Sequence, residues 1–273
     1  MRVALFTTCL GDALYPRVVQ ATAVLLTRLG CEVVVPDRQT CCGQMHMNSG
    51  YQEEIMPMVE NFVETFSDSS LDGPFDYIVS PSGSCVGAIR DYHVHVTERF
   101  TTGEDAEDRA DAVFDTTMKV LDLPEFLIDV LGVEDVGGYF PHRVTYHPSC
   151  HGLRFLGLGD RPYRLLKHVD SLEFADLPQA EECCGFGGTF SLKNPEVSAA
   201  MVADKVANIA ATGAEFVAGG DGSCLLNIGG TLSRSGSAIR PIHVAEILAS
   251  TREHPWSDDP NWLTGPVAQK GAH

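Results

Sequence analysis

Cysteine occurs in this chain as two copies of one pattern, each with a single cysteine, a Cys-Cys-Gly triplet and a final cysteine. The copies are Cys9, Cys41-Cys42-Gly43 and Cys85, followed by Cys150, Cys183-Cys184-Gly185 and Cys224. The first cysteine precedes the pair by 32 residues in one copy (9 to 41) and by 33 in the other (150 to 183). Because thiolates are the ligands that soft metals and iron–sulfur clusters select, the pattern predicts two related metal or redox sites.

The sequence around the cysteines repeats as well, with a period near 141 residues. Arg2 and Arg143 each lie seven residues before a cysteine, and segment 76–85 aligns with segment 215–224. A period of this size indicates a duplication into two domains rather than a short solenoid repeat. The predicted units are a first cysteine-rich domain over 1–137, a second over 138–256, and a loosely packed tail over 257–273.

Composition and charge narrow the classes of function. With 273 residues, of which 44% are hydrophobic, each half can bury a core. The net charge of −18 argues against nucleic acid and an anionic membrane surface as partners, because both are polyanions. The chain shows no basic leader and no bilayer-length apolar run, so we expect a cytoplasmic protein without membrane insertion. In a reducing cytosol its nine cysteines are expected to be metal ligands or redox thiols.

Strand-like apolar runs alternate with helical periodicity in both halves. Strands are predicted over 2–8, 31–35, 76–80, 144–146, 172–175 and 215–218. Helices are predicted over 16–29, 53–66, 85–95, 124–132 and 195–211, and the acidic stretch 101–111 as a solvated loop or helix edge. The alternation predicts an α/β fold in which mostly parallel sheets are flanked by helices. Ligands of such folds bind at the carboxyl ends of strands, and the cysteine segments fall there.

The adjacent cysteines favour a polynuclear site. Neighbouring side chains in an extended segment point apart, so they suit different irons of a cluster better than two corners of one tetrahedral ion. The glycine that follows removes a side chain where the backbone approaches the cluster, and the Gly-Ser-Cys turns offer N–H donors to sulfur. We therefore predict two iron–sulfur clusters, of the [4Fe–4S] type, held by the eight repeated cysteines. A structural zinc in each half, or redox thiols without metal, are the alternatives.

Other residues near the cysteines are given lesser roles. Cys31 has no match in the second half and is expected to be a buried core residue. His46, His147 and His151 lie near the cysteine pairs in sequence. We interpret them as hydrogen-bond partners of the sites or as surface residues rather than as ligands.

Several segments of the chain resemble the lactate utilisation protein A family, and the resemblance extends over nearly the whole sequence. They are Gln39-Thr40-Cys41-Cys42-Gly43-Gln44, Asn48-Ser49-Gly50-Tyr51, Pro81-Ser82-Gly83-Ser84-Cys85, His147-Pro148-Ser149-Cys150-His151, Glu182-Cys183-Cys184-Gly185-Phe186-Gly187-Gly188-Thr189-Phe190-Ser191 and Ser223-Cys224-Leu225. This family belongs to the CCG, or cysteine-rich-domain, iron–sulfur oxidoreductases, with the cysteine-rich subunit of heterodisulfide reductase and the iron–sulfur subunit of glycolate oxidase. The resemblance implies a cytosolic subunit of a three-protein system that oxidises L-lactate to pyruvate. Its implied partners are other iron–sulfur and accessory subunits.

The chain departs from the heterodisulfide reductase relatives at one position of each half. Those relatives end each motif in Cys-x-x-Cys and hold a non-cubane cluster with five cysteines, whereas Ser82 and Asp221 stand at that position here. Both are expected to be turn residues, although a carboxylate can supply an oxygen ligand, and we place Asp221 beside the second cluster. The choices left open are a four-thiolate cluster, a cluster completed by an Asp221 or Ser82 oxygen, and an incompletely ligated iron.

The cysteine pattern therefore predicts an iron–sulfur electron-transfer subunit, and the resemblance implies that it acts with partner proteins on L-lactate or a similar 2-hydroxy acid. A zinc-stabilised assembly subunit and a thiol/disulfide reductase subunit are the alternatives. The glycine-rich segment 185–188 lacks the Lys and Ser/Thr of a phosphate-binding loop. No flavin, NAD or haem is expected.

Overall fold

The computed structural model describes residues 1–259 and 262–263, and within them the chain forms two four-stranded sheets. The first sheet consists of β1 (Arg2–Leu5), β2 (Glu32–Val34), β3 (Tyr77–Ser80) and β4 (Val120–Asp122). The second consists of β5 (Arg143–His147), β6 (Glu173–Ala175), β7 (Phe216–Gly219) and β8 (Arg240–His243). All neighbouring strands are parallel, and the spatial orders β2-β1-β3-β4 and β6-β5-β7-β8 are the same. The predicted α/β fold with two duplicated parallel sheets is confirmed.

Helices connect the successive strands. In the first half they are α1 (Cys9–Ala13), α2 (Pro16–Arg28), α3 (Gln44–Ser49), α4 (Met56–Phe66), α5 (Gly83–Gly87), α6 (Val94–Phe100), α7 (Ala106–Thr117) and α8 (Leu123–Glu125). In the second half they are α9 (Arg161–Lys167), α10 (Phe190–Lys193), α11 (Pro195–Ala211), α12 (Gly222–Arg234) and α13 (Val244–Ala249). A 3₁₀ turn covers Glu53–Ile55, and π-helical turns cover Ala88–His93, Phe126–Val130 and His151–Phe155. Among the described helices, none has the length and hydrophobicity needed to cross a membrane.

The sequence did not predict β4 or β8, the outer strand on one side of each sheet. β4 has only three residues and β8 begins with Arg240-Pro241, so neither shows the apolar run that marks a strand. Proline is tolerated in β8 because an edge strand has a free side. Both strands end in the same helix cap, a capping box of Asp122 with Glu125 and of His243 with Glu246. The structural repeat therefore extends to the fourth strand.

Helix α13 of the second half packs against helix α2 of the first. All six residues of α13 are buried, and α2 buries the face that carries Val18, Ala21 and Leu25. One hydrophobic core contains Val3 and Val79 from the first sheet together with Val144 and Phe216 from the second. Apolar burial of this kind is the main stabilising contribution in folding, so one common core stabilises both sheets.

Arg28, the last residue of α2, forms hydrogen bonds with the carboxyl end of α13. Its guanidinium donates hydrogen bonds to the backbone oxygens of Ala249 at 2.9 Å, Leu248 at 2.6 Å and Val136 at 3.1 Å. The last carbonyls of a helix have no partner within the helix, so a cation placed there satisfies them and also interacts favourably with the helix dipole.

Arg28→Met is expected to destabilise the protein by about 3 kcal/mol, because the buried carbonyls lose charged donors. The control is Arg109→Met, which breaks an ion pair with Glu60 at 3.3 Å between side chains that are 58% and 51% exposed. A pair of this kind contributes at most about 1 kcal/mol. Urea unfolding of both variants measures the difference, and equal losses would contradict the role given to Arg28.

Two peripheral segments, the acidic stretch and the tail, contain helical or buried residues. The acidic stretch 101–111 includes the start of α7 at Ala106, which agrees with a helix edge. In the predicted tail, Trp262 and Leu263 are buried in the shared core, so the expectation of loose packing fails there. The Arg17 guanidinium also stacks on the Trp262 ring, 5.9 Å from its centroid, and large rings gain from such burial. Residues 260–261 and 264–273 of the tail lie outside the described residues.

Candidate metal centres

The four cysteines of the first half meet at the carboxyl ends of its strands. Cys9 begins α1, which follows β1 after a three-residue link (residues 6–8), Cys41 and Cys42 follow β2, and Cys85 lies in α5 after β3. The thiols form a row in which Cys41 lies beside Cys42 and Cys9, and Cys42 also beside Cys85. Hydrogen bonds from Cys42 and then Cys9 lower the pKa of Cys41 to about 2, whereas those contacts and burial raise the pKa of its two neighbours. One thiolate in the row is therefore already favoured at neutral pH.

The second half repeats this arrangement. Cys183 lies beside Cys150 and Cys184, and Cys184 also beside Cys224. Hydrogen bonds from Cys150 and then Cys184 lower the pKa of Cys183 to about 2, as for its counterpart in the first half. Cys85 and Cys224, the last members of the two rows, are each 8% exposed. The structure thus brings together each of the two predicted sets of four cysteines.

The glycine after each cysteine pair is required by backbone conformation. Gly43 has φ +83° and Gly185 has φ +80°, a region that residues with a Cβ avoid. In that conformation the Gly43 and Gly185 N–H groups donate to the Sγ atoms of Cys41 and Cys183, at 3.5 and 3.4 Å. These glycine donors are additional to the N–H groups of the Gly-Ser-Cys turns, whose role as donors to a bound cluster stays a prediction.

Gly185→Ala is expected to destabilise the second half by at least about 2 kcal/mol, because a left-handed backbone costs an alanine about 1–2 kcal/mol before any clash is counted. Its Cβ would also lie 2.7 Å from the backbone oxygen of Ser198. The control is Gly230→Ala in α12, where a Cβ meets nothing within 4 Å. That change should stabilise the helix by up to about 1 kcal/mol, so urea unfolding should show effects of opposite sign.

Distant side chains hold the backbone carbonyls of the cysteine pairs. His93 Nε2 lies 3.0 Å from the Cys42 oxygen, and Asn227 Nδ2 donates to the Cys184 oxygen at 2.8 Å. Lys205, which has no exposed surface, donates to the Gln179 and Ala180 oxygens just before the second pair. No sequence motif marks these residues, because each recognises a backbone atom rather than a neighbouring side chain.

The Asp221 carboxylate binds across the interface between the halves. It accepts hydrogen bonds from Ser84 N at 2.9 Å, Ser84 Oγ at 2.8 Å and Ser82 Oγ at 3.2 Å, and from Ser223 Oγ of its own half at 3.1 Å. Asp221 and Ser82 occupy equivalent cap positions before α12 and α5. Three of these four bonds come from Ser82 and Ser84 at the start of α5, so Asp221 links the halves, and its place beside the second cluster stays a prediction.

A cleft joins the first set of thiols to the second half. Its walls come from both halves and include Tyr15, Met45, Phe186, Asp221 and His243 as well as the first thiols. Close to this cleft the segments after the two cysteine pairs touch, because Ser49 Oγ and Thr189 Oγ1 lie 2.7 Å apart. The segments that follow the two cysteine pairs are therefore in contact across the interface.

The remaining predicted residues have distinct surroundings. Cys31 is 6% exposed within the shared core, as expected for a packing residue. His46 is half-buried near Cys41, and half-buried His151 packs on the Phe155 ring at 5.3 Å. His147 is 1% exposed, and burial lowers its pKa to about 4.

Comparison with known proteins places the chain in a family. The cysteine-rich domain (CCG) family model matches residues 3–90 and 144–229, which contain both sets of thiols. Lactate utilization protein A of Oceanobacillus iheyensis is 45% identical over 93% of this chain and 98% of its own length. The proteins of that name from an Exiguobacterium species and from Bacillus subtilis are 48% and 44% identical, covering 90% and 92% of this chain and 96% and 100% of their own lengths. The chain belongs to the lactate utilization protein A family.

The fold of this family member also occurs in a solved structure. A hypothetical protein from Helicobacter pylori superposes with a TM-score of 0.56 at 10% identity, covering 96% of this chain. This chain spans 50% of that protein, and the likeness concerns the fold alone. In the present family member, both matched segments begin at the first strand of a sheet and end in the helix after its third strand.

Proposed function

We propose that this protein is the iron–sulfur electron-transfer component of a system that oxidises L-lactate. Each half binds one cluster through its four cysteines. The observation that carries the proposal is the pair of matched thiol rows, built by the same elements in both halves. Four thiolates are the usual ligand set of a [4Fe–4S] cluster.

The spacing of the thiols favours a polynuclear group over zinc. A single tetrahedral zinc binds sulfur at about 2.3 Å, so its four ligands crowd together. Within residues 1–259 and 262–263, no three thiols of either row have all their sulfur atoms within 4.8 Å of one another, and the one compact ligand set contains two thiols, Cys184 and Cys224, with His147. The Gly43 and Gly185 N–H groups point at sulfur, as donors to an anionic cluster do.

The chain's own residues hold and connect the two sites. A bound iron–sulfur cluster supplies reversible one-electron transfer. His93 and Asn227 fix the carbonyls of Cys42 and Cys184, and the Ser49–Thr189 contact keeps the two cysteine-pair loops adjacent. This arrangement supports electron passage through one chain between a donor and an acceptor subunit.

The relatives' name supports the choice of substrate and a multi-protein system. The proteins at 44–48% identity are named for lactate utilization, so we assign L-lactate to the system in which this chain acts. The partners are the other iron–sulfur and accessory subunits of that system, and the chain works in the cytoplasm. The net charge of −18 favours partner surfaces that are neutral or basic where they dock.

A growth experiment tests this function. A strain of the source organism that lacks the gene should lose growth on L-lactate and regain it with the parent gene. A Cys42→Ser/Cys184→Ser gene should not restore growth, whereas Cys31→Ala, outside both thiol rows, should restore it. Immunoblotting must show equal protein levels. Growth with the double cysteine variant at a normal protein level would refute the proposed role.

A further inference from the structure

A buried histidine without a hydrogen-bond partner lies in the second site. His147 ends β5, is 1% exposed, and neither of its ring nitrogens has a partner in the described structure. An imidazole that is removed from water without a partner costs free energy, so a buried histidine of this kind calls for an explanation.

The His147 ring lies against two of the thiols. One of its nitrogens and the Sγ atoms of Cys184 and Cys224 all lie within 4.8 Å of one another. Among the described residues, this is the only set of three His, Cys, Asp or Glu side chains so closely grouped. A neutral imidazole has one nitrogen with a free lone pair, and imidazole is a good ligand for iron.

The first site has no such group. The residue equivalent to His147 is Phe6, which follows β1 at the same distance before its cysteine. The Phe6 ring packs edge-on against Phe62 and Phe66, with centroids 5.9 and 5.8 Å away. The duplicated halves therefore have an apolar ring at one site and an imidazole at the other.

We propose that His147 is a nitrogen ligand of the metal cluster in the second site. That site then has five protein ligands, four thiolates and an imidazole, whereas the first has four thiolates. The inference rests on the proposed function, because it presupposes a cluster in each half. It makes the two clusters chemically different, although their cysteines are arranged alike.

Pulsed electron paramagnetic resonance of the whole protein tests this inference. The protein is purified anaerobically, reduced, and compared with a sample labelled with ¹⁵N in histidine only. We expect the hyperfine coupling of a directly bound nitrogen, which changes to that of ¹⁵N in the labelled sample. His147→Phe, which places the residue of the first site in the second, should abolish the coupling. His151→Gln, next to Cys150, should retain it.

The outcomes separate this inference from the proposed function. Iron and sulfide for two clusters without strong histidine coupling would overturn the nitrogen ligand and leave the electron-transfer role standing. Coupling that survives in His147→Phe would overturn it as well. A protein that binds no iron would remove both. If His147→Phe fails to fold, His147→Asn takes its place, and coupling that survives in that variant would overturn the ligand in the same way.

Discussion

Cys184→Ser is expected to remove about half of the iron and half of the acid-labile sulfide from the anaerobically purified protein, since one of two clusters is lost. Cys184 is 2% exposed and lies between Cys183 and Cys224 in the thiol row. A serine there leaves a gap in the middle of the ligand set. Cys42→Ser should remove the other half, because Cys42 has the same place in the first row.

The matched control is Cys31→Ala, which removes a buried thiol from the core and not from either row. Its iron and sulfide contents should equal those of the parent protein, although it loses some stability through the cavity created. If Cys31→Ala lost as much iron as Cys184→Ser, the iron content would report stability and not ligation. If neither Cys184→Ser nor Cys42→Ser lost iron, the rows would not be the binding sites.

Acid is expected to destabilise the protein through His243, a buried residue at the interface between the halves. His243 Nδ1 accepts the Ala245 N–H at 3.1 Å, so Nε2 carries the proton and donates to the Pro81 oxygen at 3.0 Å. Burial lowers its pKa from 6.5 to about 4. The unfolded chain therefore binds a proton between pH 6.5 and 4 that the folded chain does not.

The protein is expected to lose stability as the pH falls, because the folded state keeps His243 neutral. The stability due to neutral His243 is fully present above pH 6.5 and is lost as the pH falls toward 4, a loss of about 3 kcal/mol at about 1.4 kcal/mol per pH unit. His243→Gln should make the plot of unfolding free energy against pH shallower by that slope. His95→Gln, at an exposed histidine, should leave the slope unchanged. Urea unfolding from pH 4.5 to 7 measures both, and parallel plots for His243→Gln and the parent would contradict the prediction.

The sequence predicted most of each sheet because its inner strands are apolar. β1, β3, β5 and β7 stand out as runs such as Val3-Ala4-Leu5, since they are buried on both faces. β8 is an edge strand whose first two residues, Arg240 and Pro241, are exposed. Its pairing comes from β7 beside it, a long-range contact that no local pattern reveals.

The cysteine sets could be predicted because nearly the same cysteine spacing occurs in both halves. The residues that surround the thiols could not be predicted. His93 and Asn227 act from 51 and 43 residues away on carbonyl groups that every residue has. The place of Asp221 beside the second cluster stays a prediction, and the sequence period did not reveal that its carboxylate also reaches the other half. In the structure, most of the hydrogen bonds to the Asp221 carboxylate come from Ser82 and Ser84.

The central claim is that each half binds an iron–sulfur cluster. Iron, acid-labile sulfide and zinc analysis of the anaerobically purified protein, combined with electron paramagnetic resonance of the reduced state, tests it most directly. We expect about eight irons and eight sulfides per chain, with signals from two distinct reduced clusters. A colourless protein with stoichiometric zinc, no sulfide and no resonance signal would contradict the claim.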